Sequence, residues 1–415
     1  MRHLKLVIVS LFLCAATLGG VQPLSAQIYD ASGQYVDTIF HDHINRQDPD
    51  FVTVSLVVCD PCDILYSTLG HACLHLQCPT FNLDYFFTYE SENLRDKVWT
   101  FLRGKLKMGM FSLTRDEFLL DYKEAGRGVR EYKLNLSPEQ KQRLWQVMDN
   151  KVAQGANIPY DYFHKGCAKS VVGVVKEALG NDAIHYAPWP DKYTKQTQRE
   201  IVRNYIENAP WSEFEMYFLI GIDGDKDYPC EKKLIVPTDL VEVWQQATLD
   251  GHPLLDTVSH ELLPSVPQPK ATWCTPLLVA IVLLLLSLVS LFLTRSYIDY
   301  LLLTLQTLVG LLMTYLIFFS SLPCTDWNWL IITFNPLPAV VWAVNKRKPG
   351  KWFGYCALAY AVVLVVWELA MLLYPHVLVD WSHMILVLAM IIVLLKQWWV
   401  GRKKCLPSTS QVSPK

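Results

Sequence analysis

The sequence predicts an α+β exported domain, a small antiparallel sheet with several helices, followed by an all-α region of five transmembrane helices. Three observations carry this. The N-terminus has the parts of a secretory signal. Residues 27–272 mix short β-branched runs with capped helical segments. Beyond Thr275 the chain turns strongly apolar, with Trp and Tyr at the segment edges. The 415 residues leave room for about two or three domains. A net charge of −2 gives no footing for nucleic acid. The expected division is a signal peptide over 1–26, an exported domain over 27–272, five transmembrane helices over 275–400, and a cytoplasmic tail over 401–415.

The signal is read from "MRHLK", which supplies positive charge, "LVIVSLFLCAATLGG", an apolar core, and "PLSAQ", with small residues for cleavage after Ala26. Leu13 precedes Cys14 where a lipoprotein cleavage site wants a small residue, so Cys14 is not read as a lipid anchor. An uncleaved N-terminal anchor is the alternative.

The apolar stretches run near Pro276–Leu293, Tyr300–Ser320, Trp329–Val344, Phe353–Leu373 and Met384–Val400. Each approaches the length needed for about 30 Å of hydrocarbon, the third only marginally, because it is short and holds two prolines. Arg295, "NKRKPGK" (Asn345–Lys351) and "GRKK" (Gly401–Lys404) follow the odd-numbered spans, whereas "LPCTDWN" and "PHVLVDWSH" contain no Lys or Arg. Basic residues stay cytoplasmic. The expected placement is therefore a multi-pass membrane protein with its N-terminal domain outside the membrane, periplasmic or extracellular. The signal peptide points the same way independently.

Within the exported domain, "FVTVSLVVCD", "ACLHLQC" and "LDYFFTYES" read as strands. "NLRDKVWTFLRGK" reads as a helix. "TRDEFLLDYKEAG" opens with a capping box, Thr114 to Glu117. "VREYKLNL" is strand-like, and the next helix has Ser137 as N-cap, Pro138 at its first position and Gln140 completing a box. "PLLDTVSHELLPSVPQPK" (Pro253–Lys270) reads as a loose Pro-rich linker. Of the 11 cysteines, several are expected to pair in an oxidising compartment. For "CDPC" (Cys59–Cys62) a structural disulfide is preferred over a redox pair or a zinc set with "CLHLQC". "GIDGDKD" lacks the register of a calcium loop and reads as a turn. No cofactor or metal is expected.

One stretch carries chemistry. In "YDYFHKGCAKSVVGVVKEALGN", Cys167 follows Gly166 and precedes apolar residues at helical spacing, so it opens a helix. Free backbone amides and the macrodipole favour an anion there, and Lys165 and Lys169 add positive charge. A thiolate so placed is an acyl nucleophile if a base stands near. A buried or disulfide-bonded cysteine is the structural alternative. His71, at the start of "ACLHL", is the candidate base. His75, four residues on and on the same strand face, is a candidate orienting group. For His71 a satisfied structural histidine is the other reading, for His75 a plain surface role, and for His164 a loop residue.

The segments "VSLVVCDPCDILYSTLGHACLHL", "FLRGKL", "YKEAGRGVREYKLNLSPEQKQRLW" and "YDYFHKGCAKSVV" together resemble the Lnb-type periplasmic-domain family of bacterial membrane proteins, and "PCTDWNWLIITFNPLPAVVW" resembles its membrane-edge segment. The resemblance covers roughly residues 50–400. It implies a permuted papain-like, NlpC/P60-like Cys–His domain ahead of a multi-span membrane region. It also implies acyl transfer to lipoproteins, with a phospholipid as acyl donor and a diacylated lipoprotein as acceptor. The family's His carries over to His71 and its Cys to Cys167; where the family usually has Asn before the Cys, this chain has Gly166. Arg103 and Arg127 are candidates for phosphate contact, with a solvated surface role as the other reading. The rivals are a cell-wall peptidase using the same Cys–His pair and a non-enzymatic or redox envelope protein centred on "CDPC".

Overall fold

The computed structural model describes residues 51–62, 67–91, 97–206, 209–266, 273–293, 297–347, 351–373 and 380–403. The expected signal peptide and the tail beyond residue 403 lie outside the described residues. The chain divides into two compact units. Asn208–Asp225 groups with the helical unit and Ser321–Cys324 with the sheet unit, across the boundary that composition drew.

The sheet unit is α+β. Its strands are β1 (Thr53–Cys59), β2 (His71–Cys78), β3 (Leu83–Ser91), β4 (Lys107–Thr114), β5 (Val129–Lys133), β6 (Ile158–Pro159), β7 (Ile184–His185), β8 (Thr248–Leu249), β9 (His252–Pro253) and β10 (His260–Leu263). Seven form one sheet, ordered β10-β5-β1-β2-β3-β4-β6, with neighbours antiparallel. The other three make a small sheet. In β1, adjacent Leu56 and Val57 are both fully buried. Successive side chains point to opposite faces, so this strand is covered on both. On one face Val57, Cys59, Cys73, Phe86 and Val129 form a core with Phe118 of the helix Arg115–Glu124. The helix Cys167–Leu179 buries Ala168, Val171, Val172, Val174, Val175 and Ala178 and packs against β2, β3 and the helix Pro138–Gln154.

Both capping boxes form: Thr114 with Glu117, and Ser137 with Gln140. Three elements differ from expectation. The helix read across "NLRDKVWTFLRGK" is a short one, Val98–Leu102, among the described residues, and β4 follows it. The supposed linker Pro253–Lys270 contributes β10, an edge strand that pairs with β5. A four-residue strand in a Pro-rich run has no local signal, because its hydrogen bonds come from a partner far away in the chain. Third, no disulfide forms among the described residues, Cys59, Cys62, Cys73, Cys78, Cys167 and Cys230 included. For "CDPC" the reason is register. Cys59 turns into the core and hydrogen-bonds Tyr122, while Cys62 lies beyond the strand end.

The second unit is helical. Tyr297–Phe318, Trp352–Leu373 and Trp381–Val400 are long and apolar enough to cross a membrane. Pro276–Ser290 has 15 residues and Leu337–Arg347 only 11. The third predicted stretch is therefore split, with a 3-10 turn at Trp329–Ile331 ahead of the short helix. Asn328 caps that turn, and Asn335 accepts from the Leu337 amide at 3.1 Å just before Pro336 and Pro338 interrupt the run.

Candidate active site

Cys167 is the first residue of its helix, after Gly166 at the N-cap. The loop before it is held by Asp161, whose Oδ1 accepts the amides of Phe163 (3.1 Å) and His164 (2.9 Å). Glycine brings no side-chain acceptor, so the first-turn amides stay available. The Ala168 amide bonds the Cys167 sulfur, as does the amide of Ala72 on β2.

His71 is the first residue of β2 and pairs with Cys59 of β1. Gly70 before it has φ +83, and a Cβ there would stand 2.5 Å from the Cys59 carbonyl oxygen. Only glycine makes this close, left-handed turn without strain, which explains the Gly-His pair of the motif. The His71 side chain hydrogen-bonds Cys167. Burial alone would raise the thiol, but the electrostatic pull and hydrogen bond of His71, with the two amides, bring it below its ordinary value. His164, the other histidine near Cys167 in sequence, packs edge-on against Tyr228 instead.

The group behind the imidazole was not foreseen. His71 Nε2 lies 2.7 Å from Thr88 Oγ1 and 3.8 Å from Glu90 Oε1, and the Thr88 hydroxyl donates to Glu90 at 2.9 Å. One ring nitrogen is thus committed to Thr88, which leaves Nδ1 for the thiol. Continuing the Leu74–Phe87 pairing of β2 and β3 toward the strand start brings His71 across from Glu90, with Thr88 diagonal to it on the same face. Thr88 is fully buried. Glu90 keeps 47% of its side chain open, yet the protein mass around the remainder pushes its carboxyl up to about 7, against the Thr88 hydrogen bond. The available signal was the polar alternation of Thr88 and Glu90 within "LDYFFTYES".

His75 does not orient His71. It is 1% exposed, with Nδ1 2.5 Å from Glu131 Oε2 and Nε2 2.6 Å from Asp84 Oδ1, and it stacks on Phe86. Both its nitrogens are spent on a tie across β5, β2 and β3. Arg127 donates from Nε to the Asp60 carbonyl at 2.8 Å and lies over the Tyr122 ring, with Nη2 buried and unpartnered. Arg103 is exposed, and its carbonyl accepts from the Ser321 amide and hydroxyl. Gly104 beside it has φ +68, and a Cβ would meet the Leu322 nitrogen at 2.3 Å, so the "FLRGKL" motif is shaped by close passage of Ser321–Leu322.

A thiol at a helix N-terminus, bonded to a strand-start histidine whose far nitrogen is held by a hydroxyl, defines a Cys–His site on an α+β domain, here in a chain with a helical membrane region. Two family models match this chain: the Lnb N-terminal periplasmic domain over residues 40–204 and the Lnb transmembrane domain over residues 268–404. Together they span well over half of the sequence, and the protein belongs to the Lnb family. Comparison with curated proteins and with solved structures gives no match.

Proposed function

We propose that the protein is a membrane-anchored thiol acyltransferase that N-acylates the diacylglyceryl-cysteine of lipoproteins, with a phospholipid as acyl donor. The observation that carries this reading is the hydrogen bond between His71 and a Cys167 thiol whose pKa is lowered although the group is buried. His71 takes the Cys167 proton, and the thiolate attacks the ester carbonyl of the phospholipid. The tetrahedral intermediate collapses to a Cys167 thioester, and the lysophospholipid leaves with the proton that His71 returns. Amides of the helix N-terminus are the donors at hand for the oxyanion. The lipoprotein α-amine then attacks the thioester. His71 takes up its proton and returns it to sulfur, which leaves the amide product and a free thiol. The three helices among the described residues that are long enough to cross a membrane suit an enzyme whose two substrates are both lipids. In this reading the domain faces the periplasm from a multi-pass inner-membrane anchor.

The test is complementation of a strain lacking its lipoprotein N-acyltransferase, followed by mass analysis of lipoprotein N-termini. Wild type restores the third acyl chain; Cys167→Ser and His71→Ala do not, while both accumulate in the membrane. Unchanged diacyl lipoproteins with wild type, together with cleavage of cell-wall peptides, would replace this reading by the peptidase.

A further inference from the structure

The helical unit holds a second polar cluster with no part in the Cys–His site. Glu368 sits near the end of the helix Trp352–Leu373, and His383 in the first turn of the helix Trp381–Lys403. These two helix ends follow one another in the chain, and the two residues lie together there. His383 is 1% exposed and Glu368 7%. They do not form a closed pair: His383 Nε2 is 3.9 Å from Glu368 Oε1. The Glu368 carboxyl and His383 Nε2 are buried, and the side-chain hydrogen bond of the carboxyl is with the Thr333 hydroxyl beside it, which leaves acceptor capacity on the two carboxyl oxygens unused. His383 Nδ1 is 3.2 Å from the Tyr217 hydroxyl. The rings of Tyr217, Phe334 and Phe218 stand 5.3, 5.7 and 6.4 Å from the His383 ring.

Buried polar groups in hydrocarbon surroundings are satisfied in nearly all proteins, and an ionisable one inside a membrane region marks a site. Here the unmet demand has a definite character. Two carboxyl oxygens and a hydroxyl oxygen offer lone pairs, the imidazole offers another from Nε2 when Nδ1–H donates to the Tyr217 hydroxyl, and aromatic rings stand around them. A group with several N–H donors and a positive charge answers every one of these, with the rings adding cation–π attraction. An anion would meet the carboxyl with repulsion, and a quaternary ammonium has no N–H to give.

We propose that Glu368 and His383, with Thr333 and Tyr217, form a binding site for a primary ammonium group carried by a lipid. That chemistry has two sources, an ethanolamine headgroup and the free α-amine of a diacylglyceryl-cysteinyl peptide. The site stands whether or not Cys167 transfers acyl groups.

The full chain in detergent is tested by native mass spectrometry with four probes: phosphatidylethanolamine, phosphatidylcholine of the same acyl chains, a synthetic diacylglyceryl-cysteinyl peptide with a free amine, and its N-acetylated form. Wild type and Cys167→Ser retain at least one free-amine probe over its blocked partner by about tenfold or more, and Glu368→Gln removes that preference. The probe retained identifies the source. Equal retention of blocked and free forms by wild type overturns the proposal without reference to any variant. So does a preference that survives in a well-folded Glu368→Gln, which would make the cluster a hydrated polar pocket only. If Glu368→Gln does not fold, His383→Gln and the wild-type comparison decide in the same way. Loss of acyl transfer in Cys167→Ser with the amine preference intact keeps the two readings separate.

Discussion

Thr88 Oγ1 lies 2.7 Å from Nε2 of His71 and donates a hydrogen bond to Glu90 at 2.9 Å. The hydroxyl thus accepts from the imidazole on one side and donates to a carboxylate on the other, which fixes the ring with its second nitrogen toward Cys167. Removing the hydroxyl in Thr88→Val frees the ring at nearly constant volume. Reaction of Cys167 with iodoacetamide, and acyl transfer, are expected to fall by about tenfold or more, with Thr88→Ser restoring most of both. An unchanged rate in Thr88→Val would show that packing alone holds the imidazole.

Glu90 supplies a pH limb. Burial raises its carboxyl to about 7, so the acceptor for Thr88 is ionised only as pH rises through that region. The Cys167 alkylation rate of the wild type is expected to climb through about pH 7, beyond the contribution of the thiol itself. Glu90→Gln should flatten this limb while leaving the thermal midpoint close to that of the wild type.

His71 and Cys167 are coupled in the same measurement. Burial raises the thiol and His71 is the first group that lowers it. His71→Ala therefore leaves burial in command. The alkylation midpoint is predicted to move to higher pH, with the rate at neutral pH falling at least about tenfold, because the thiolate is the reactive form. A midpoint that stays in place would remove the imidazole from the account of the thiol.

His75 serves stability rather than chemistry. Burial acts to raise the carboxyls of Asp84 and Glu131, yet their contacts with His75 bring both below the usual range. A depressed carboxylate stabilises the fold above its unfolded pKa, and that contribution is lost as pH falls through the folded values. His75→Ala leaves two carboxylates facing a void and is expected to cost about 3 kcal/mol. It should also weaken the acid limb of the stability profile, without moving the pH midpoint of Cys167 alkylation. Urea unfolding between pH 3 and 7 measures the first effect.

The two cysteines of "CDPC" should behave differently. Cys62→Ser is expected to change stability by no more than about 0.5 kcal/mol, since no bond is lost. Cys59 is buried in the core and its thiol is pushed up to about 12 by that burial. A raised pKa contributes stability fully below the unfolded value of about 8.5, and the contribution is gone once pH has risen through about 12. Alkaline unfolding should therefore begin above pH 9 and flatten in Cys59→Ala. Thiol counting before and after denaturation checks the premise, since a Cys59–Cys62 disulfide would return two thiols too few.

The sequence by itself determined what is local. Thr114 and Ser137 cap helices because the side chains that complete each box lie three residues away. Cys167 opens a helix because Gly166 and the apolar spacing behind it leave no other start. The run of apolar segments beyond Thr275 set the helical unit apart. Contacts between distant segments were decided only by tertiary structure. Strand register put Thr88 and Glu90 behind His71 and spent His75 on Glu131 and Asp84, so the histidine expected to orient the base is replaced by a threonine on the next strand. Register also turned Cys59 into the core, away from Cys62, and drew His260–Leu263 out of a Pro-rich run onto the edge of β5. In the helical unit, packing of two helix ends brought Glu368 close to His383. The periodicity of one segment records which of its faces is buried. Which residue of another segment arrives there depends on pairing and packing energies summed over the whole fold.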